Sequence, residues 1–394
     1  MREASWDQAR ELARSLFPTL PSQSVAIAEA VGRTLAEDMY SLCDLPAFET
    51  SSMDGWAVAG NGPWRVIGDV QMGKAPTEII VAGECMRIST GGVVPRGAEA
   101  VIPWEKVTQT DSLIAGTIEA GANIRPAGAE CKEGDLLFAS GTRLTPPMVG
   151  LLAATGHDRI SVSAKPKVAI FFLGDELIHQ GVPRDGAIRD ALGPQIPGHL
   201  ELLGCEVISR TFVKDELDSL VSEIHSALGS VDLIVTTGGT ADSPRDFVKP
   251  AIAALGGVLE LDCARVRPGY HILIAALPVV EAGSDKKLPL IALPGNPQSA
   301  IAALTSFGKP LIDSLLGAES IALKEITLQQ SFKTQPDFAR LIPGTLTEDR
   351  FTPTQYLGSA MLRGVAAAHG FAVISPEGES SQSARWLALP RFDY

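Results

Sequence analysis

Residues 165–177 read KPKVAIFFLGDEL: a charged start, an unbroken apolar run from Val168 to Leu173, then Gly174-Asp175-Glu176. An apolar run with no alternation predicts a strand buried on both faces, as in a parallel sheet covered by helices. Two further stretches have the same form, VDLIVTTGGT (231–240) and LPLIALPGNPQS (288–299), and CEVISRTFV (205–213) is a fourth strand. Between these strands the period is helical over 191–204, 215–228 and 246–255, and again over 298–316. Strands alternating with helices predict an α/β domain over 166–317 with a parallel-rich sheet.

Outside that block the pattern changes. From Pro46 to Asp135 short β-like runs (WRVIGDV, EIIVAG, CMRIST, AVIPWEKV, SLIAGTI) are split by Gly, Pro and Asn, predicting an inserted β-rich module over 46–135. Residues 4–17 and 22–39 carry helical periodicity, the second capped by Ser22 or Ser24, and Thr145-Pro146-Pro147 opens another helix. Residues 1–45 with 136–165 therefore read as a helical N-terminal layer. After Gly317 the runs IALKEITL, FARLIPGTL, AVISPEG and RWLALP predict a small C-terminal β domain over 318–394. The fold class is thus α/β and β multidomain.

Composition narrows the function classes. The chain has 394 residues, 45% hydrophobic and 20% charged, which fits a soluble globular protein and excludes disorder or fibre. The net charge of −13, with no Lys/Arg block, argues against a nucleic-acid partner and requires an anionic substrate to be held by local groups. The five cysteines are far apart with no Cys-x-x-Cys, so neither a disulfide framework nor a zinc site is expected. No apolar stretch approaches membrane-spanning length and the first residues lack a signal-peptide pattern, so a cytoplasmic protein is expected.

In open α/β sheets ligands bind beyond the carboxyl ends of the strands. After KVAIFFL stand Asp175 and Glu176, suited to Mg²⁺, to a water or to substrate hydroxyls, or simply to helix capping. After VDLIVTT come Gly238, Gly239 and Thr240, then Asp242-Ser243-Pro244-Arg245-Asp246; backbone N–H groups beside a carboxylate suit a phosphate and a metal ion, though Gly-Gly is also an ordinary turn. After LPLIAL, Pro294 and Pro297 stiffen a loop through Asn296 that carries Ser299 into a helical turn, where an oxyanion could dock on N–H and hydroxyl, or where Asn296 or Ser299 simply caps the helix. Arg265 and Arg267 stand beside the Pro268-Gly269-Tyr270 turn, and arginine pairs bidentately with oxyanions. No P-loop, His-Glu-x-x-His or dinucleotide fingerprint is present, and none of the scattered histidines is assigned a role.

Pro46-Ala-Phe-Glu-Thr-Ser-Ser-Met-Asp-Gly-Trp-Ala-Val58 resembles the signature of the molybdopterin molybdenumtransferase family, the gephyrin E-domain type. Blocks 89–107, 123–156, 173–177, 203–207 and 293–300 also resemble that family, in the family's order. The resemblance implies insertion of molybdate into adenylylated molybdopterin with release of AMP and a divalent cation such as Mg²⁺. It implies a homodimer whose second subunit completes an interdomain cleft, with the adenylyltransferase of the preceding step and acceptor molybdoenzymes as further partners. Carried onto this chain, it marks Asp54, Thr90, Glu130, Glu176, Asp215 and Asp246 as activity positions, with Glu176 and Asp246 as metal-side carboxylates. Ser299, Arg340 and Ser359 match its oxyanion positions.

Three departures stand out. Where the family reads Lys-Pro-Gly-Lys-Pro this chain has Arg267-Pro268-Gly269-Tyr270-His271, keeping one cation, with Arg265 as a candidate to compensate. The family's Gly-Gly-Val-Ser becomes Gly239-Thr240-Ala241, and its Asp-Ser-Asn becomes Asp190-Ala191-Leu192. The rival readings are adenylyl transfer to molybdopterin, suggested by the Thr-Gly-Gly-Thr loop, and a paralogue that binds pterin or a partner without turnover.

Overall fold

The computed structural model describes residues 1–279, 286–376 and 382–390. Four parallel strands form the heart of its largest sheet, in the order Glu206–Val213, Lys167–Leu173, Leu233–Thr237, Lys287–Leu293. In Lys167–Leu173 every residue but the first is buried, which is the reason for its unbroken apolar run. Helix Leu192–Leu202 and the segment Pro297–Leu315 cover one face, in a core with Val168, Ile170 and Phe172. Helices Leu217–Ala227 and Val248–Ala254 cover the other, against Ala169 and Phe171. The expected helix over 298–316 is interrupted by a π segment, Leu304–Gly308.

The sheet then becomes mixed. Leu273–Pro278 runs antiparallel to Lys287–Leu293, and Val258–Arg267 runs antiparallel to Leu273–Pro278. The end of Val258–Arg267 pairs in parallel with the strand Ala339–Thr347, in the register Val266 with Ala339 and Arg267 with Arg340. Through that pairing the α/β sheet continues into the C-terminal strands Glu325–Leu328, Arg350–Pro353, Gly370–Ile374 and Ser383–Ala388. Of the expected run AVISPEG, residues 377 and 378 lie outside the described residues, as does Val280.

The N-terminal region differs from expectation. Helix Trp6–Ser15 forms, with the Ser5/Gln8 capping box, but a strand the sequence reading missed, Arg2–Ser5, precedes it and pairs in parallel with Val258–Arg267. Trp6, Ala9, Ala13 and Phe17 enter the α/β core, and Trp6 Nε1 donates to Ser306 Oγ at 3.0 Å. The helix expected over 22–39 is not there. Ser22–Ala26 is a strand antiparallel to Arg159–Ser163, followed by a single 3-10 turn, Ile27–Glu29. Thr34 and Leu35 bridge to Arg143 and Val162. Pairing with residues more than a hundred positions away outweighs a weak local preference. Helix Pro146–Ala154 does form, with proline in its first turn.

The β-rich module contains a six-stranded sheet built from Gly55–Val58, Trp64–Asp69, Glu84–Ile88, Ala100–Pro103, Val107–Thr110 and Leu113–Gly116. The expected strand EIIVAG is absent; only Ile79 makes a bridge, to Arg96, because Ile79 and Val81 face solvent and just Ile80 reaches the core.

Candidate active site

The strand order reverses between Lys167–Leu173 and Leu233–Thr237, and a cavity of about 680 Å³ opens at the carboxyl ends of these strands. Leu173, Gly174 and Glu176 enter it from the first strand, Asp215 from the neighbouring edge strand, and Thr237 to Ala241 with Asp246 from the third. Pro294 to Pro297 close it from the fourth. Its walls are shaped by backbone that needs glycine: Gly238 and Gly239 have φ of +83° and +62°, and a Cβ on Gly238 would stand 3.0 Å from the Leu173 carbonyl oxygen.

Carboxylates dominate one side. The Asp246 carboxylate accepts from the Ser243 N–H at 2.8 Å and the Asp246 N–H donates to the Ser243 carbonyl at 2.9 Å, which closes the loop and leaves the carboxylate at the cavity. Asp215 exchanges bonds with Asp175, and desolvation raises its pKa above the ordinary carboxylate value, with repulsion from Asp175 and Glu176 adding to the effect and backbone N–H bonds opposing it. Among the described residues no three acidic, His or Cys side chains converge as a cation cage.

A second cavity, of about 340 Å³, adjoins the first. His271, Pro294 and Asn296 line both. The smaller one is faced by Arg267, Ser299, Arg340 and Ser359, four positions named from the sequence, together with Tyr270. The two arginines are register partners across the seam between the α/β sheet and the C-terminal strands, which places their side chains next to each other. Arg340 Nη1 donates to the Lys333 carbonyl at 2.6 Å and its guanidinium lies over Phe332. An arginine pair beside two serine hydroxyls is suited to a tetrahedral oxyanion.

Some expectations need correction. The Ser299 N–H does not point to a ligand; it donates to the Ser359 carbonyl at 3.2 Å, so Ser299 offers its hydroxyl alone and is tied to Ser359. The Gly238 N–H donates to the Leu293 carbonyl at 2.9 Å and is likewise engaged. Arg265 lines neither cavity and its Nε is buried without a hydrogen-bond partner, so it does not compensate for the missing lysine. Asp54, Thr90 and Glu130 also line neither cavity. Asp54 Oδ1 accepts the Thr90 N–H at 2.7 Å, joining the signature loop to the loop after Glu84–Ile88, while the Glu130 N–H donates to the Leu45 carbonyl.

Other residues at the site were given no role by the sequence reading. His271 stands where the two cavities meet, and burial pushes its pKa below the ordinary imidazole value, with Arg267 adding repulsion. Its signal was its place directly after Tyr270 in the altered motif. Arg189 and Asp190 approach from the turn before helix Leu192–Leu202, where Asp190 Oδ1 accepts from the N–H groups of Leu192 and Gly193. Arg245 lines the larger cavity from the loop that carries Asp246.

Residues 4–156 match the family described as the MoeA N-terminal region (domain I and II), and residues 169–314 match the one described as "Probable molybdopterin binding domain". The chain is 29% identical over 344 residues to the molybdopterin molybdenumtransferase of Staphylococcus aureus strain Mu50, covering 84% of this chain and 80% of the relative. It is 28% identical over 370 residues to the same-named protein of Staphylococcus epidermidis, covering 89% and 86%. Among solved structures it superposes with a TM-score of 0.77 and 27% identity on the molybdopterin biosynthesis moea protein from Pyrococcus horikosii, covering 99% of this chain and all of that one.

Proposed function

Because the chain belongs to the molybdopterin molybdenumtransferase family of molybdenum cofactor biosynthesis, we propose that it inserts molybdate into adenylylated molybdopterin with release of AMP, using the two adjoining cavities for the two substrates. The observation that carries this is their contrast in chemistry. The larger cavity presents Glu176, Asp215 and Asp246 with a Gly-Gly loop, and the smaller presents Arg267, Arg340, Ser299 and Ser359. The shared wall at His271, Pro294 and Asn296 allows one bound pterin to reach both.

In this reading the pterin phosphoanhydride lies along Gly238, Gly239 and Thr240 in the larger cavity. Arg245 and Arg189, at the same cavity, offset its negative charge. Arg267 and Arg340 hold molybdate against the overall charge of −13, oriented by the Ser299 and Ser359 hydroxyls. His271 stands on the wall shared by the two cavities, between the two anion sites. Mg²⁺ fits the donor set if it is shared with phosphate: it binds through one or two carboxylates plus phosphate oxygens and waters, not in an all-protein cage. Glu176 and Asp246 are its candidate holders, and a bound Mg²⁺ supplies charge neutralisation at the phosphoanhydride.

A homodimer and a cytoplasmic location belong to the same reading. Asp54, Thr90 and Glu130 line neither cavity of their own chain, so if they act at this site they reach it from a second copy. Phe48 and Met53, in the same signature loop, expose much of their apolar surface, which suits an interface. All five cysteines are free, in keeping with a reducing compartment. No helix among the described residues is long and apolar enough to cross a membrane. The deciding experiment is AMP release from folded protein given adenylylated molybdopterin, with and without molybdate and Mg²⁺. Molybdate-dependent release is expected; pterin binding without release would overturn the assignment.

A further inference from the structure

Position 270 is where the family pattern has its second lysine and this chain has a tyrosine, in surroundings that hold it firmly. The Tyr270 hydroxyl donates to Glu3 Oε1 at 2.5 Å, bringing the N-terminal strand to the wall of the smaller cavity. That bond pushes the phenol's pKa up to about 12, so the donor proton stays in place. The ring meets His271 edge-on at 4.9 Å and Phe338 at 5.7 Å. The Arg267 guanidinium carbon lies 5.4 Å from the Tyr270 ring centre and 5.3 Å from that of Phe338. The three centres thus form a nearly equilateral triangle, with the cation resting against two aromatic rings. Arg267 is exposed and has no carboxylate partner among the described residues, so these rings are what limit its rotamers.

We propose that Tyr270, anchored by Glu3 and backed by Phe338, is a positioning residue that orders Arg267 over the smaller cavity, so that a fixed guanidinium fork grips the oxyanion where two flexible lysines are the family pattern. The inference rests on the functional reading above. A flexible cation must lose rotamer freedom when it binds, whereas one already held by aromatic faces keeps its hydrogen-bond donors directed at the ligand. Glu3 and Tyr270 act through Arg267; neither needs to touch molybdate.

The test is calorimetric titration of the full-length protein with sodium molybdate, together with molybdate KM and kcat for AMP release. Tyr270→Ala should weaken molybdate binding about 5- to 10-fold and raise KM in proportion, with kcat within about 2-fold of wild type. Tyr270→Phe and Glu3→Ala keep the ring and remove only its anchor, so each should cost about 2- to 3-fold and report on the idea even if the Tyr270→Ala variant fails to fold. In an Arg267→Ala background, Tyr270→Ala should bring no further loss. Unchanged affinity in Tyr270→Ala, or a full additional loss in the double variant, would overturn the role of Tyr270. A folded wild-type protein that binds no molybdate and releases no AMP would instead overturn the functional reading itself.

Discussion

Asp175 and Asp215 clasp each other: the backbone N–H of each donates to the side-chain carboxylate of the other, at 3.2 Å in both directions. The clasp ties together the loops after two neighbouring parallel strands and so holds Glu176 at the larger cavity. A carboxyl whose native pKa lies above its unfolded value costs stability once it ionises, and that cost fades as pH falls through the native pKa. Asp215→Asn keeps an acceptor for the Asp175 N–H without the charge. Its thermal midpoint at pH 7 should equal or exceed that of wild type, with the margin shrinking toward about pH 4. A variant that melts well below wild type at neutral pH would contradict this.

His271 should titrate below the ordinary imidazole value of 6.5, because burial and Arg267 both disfavour its charged form. Its contribution to stability is therefore lost as pH falls through the unfolded imidazole pKa toward the lower native one. Proton NMR of the ring resonances checks the midpoint. Arg267→Ala should move that midpoint up without restoring it fully, since desolvation, the larger cause, remains.

Arg340→Ala should raise the molybdate KM by about tenfold or more, since a charge-assisted contact contributes roughly 1.5–3 kcal/mol. Affinity for the pterin alone should change little, as Arg340 lines only the smaller cavity. Lysine at this position should not rescue it, because the Lys333 carbonyl and Phe332 fix a planar fork that an ammonium lacks. Rescue by lysine in steady-state kinetics would count against a geometric role.

Gly238→Ala should destabilise the fold by about 1–2 kcal/mol from its positive φ alone. Pterin affinity should also suffer, because relieving the close approach to the Leu173 carbonyl shifts the Gly-Gly loop. Denaturant unfolding and equilibrium binding separate the two losses. Wild-type values for both would show that the turn is freer than its dihedral angle implies.

Mixing two inactive variants tests whether the signature loop works across subunits. If Asp54 from one chain serves the cavity holding Asp246 of another, a mixture of Asp54→Ala and Asp246→Ala proteins regains about a quarter of wild-type AMP release after subunit exchange, because half the dimers are mixed and each has one intact site. No recovery despite confirmed exchange would place Asp54 outside that site.

The α/β domain was legible because its strands are buried on both faces, so KVAIFFL and LPLIAL carry their environment in their composition. The same rule located Glu176, Asp246 and Ser299, since ligands gather where such strands end. What failed depended on partners distant in sequence. Ser22–Ala26 is a strand only because Arg159–Ser163 lies beside it, and the N-terminal strand exists only against Val258–Arg267. Ser299 lines the smaller cavity, yet its N–H is taken by the Ser359 carbonyl, sixty positions away. His271 was passed over because a lone histidine has no local pattern; its place at the site comes from two cavities meeting beside it.

The pairing of Arg267 with Arg340 spans the boundary between two structural units, and this gives the oxyanion a mechanical part to play. Two like charges share one cavity wall at that boundary, while a common buried core that includes Val266, Ala339, Leu341 and Phe371 holds the two units together. A bound dianion turns that repulsion into a common attachment. Molybdate on this view is both cargo and mortar: an oxyanion gripped by both arginines adds a polar tie to a junction that the shared apolar core already keeps closed.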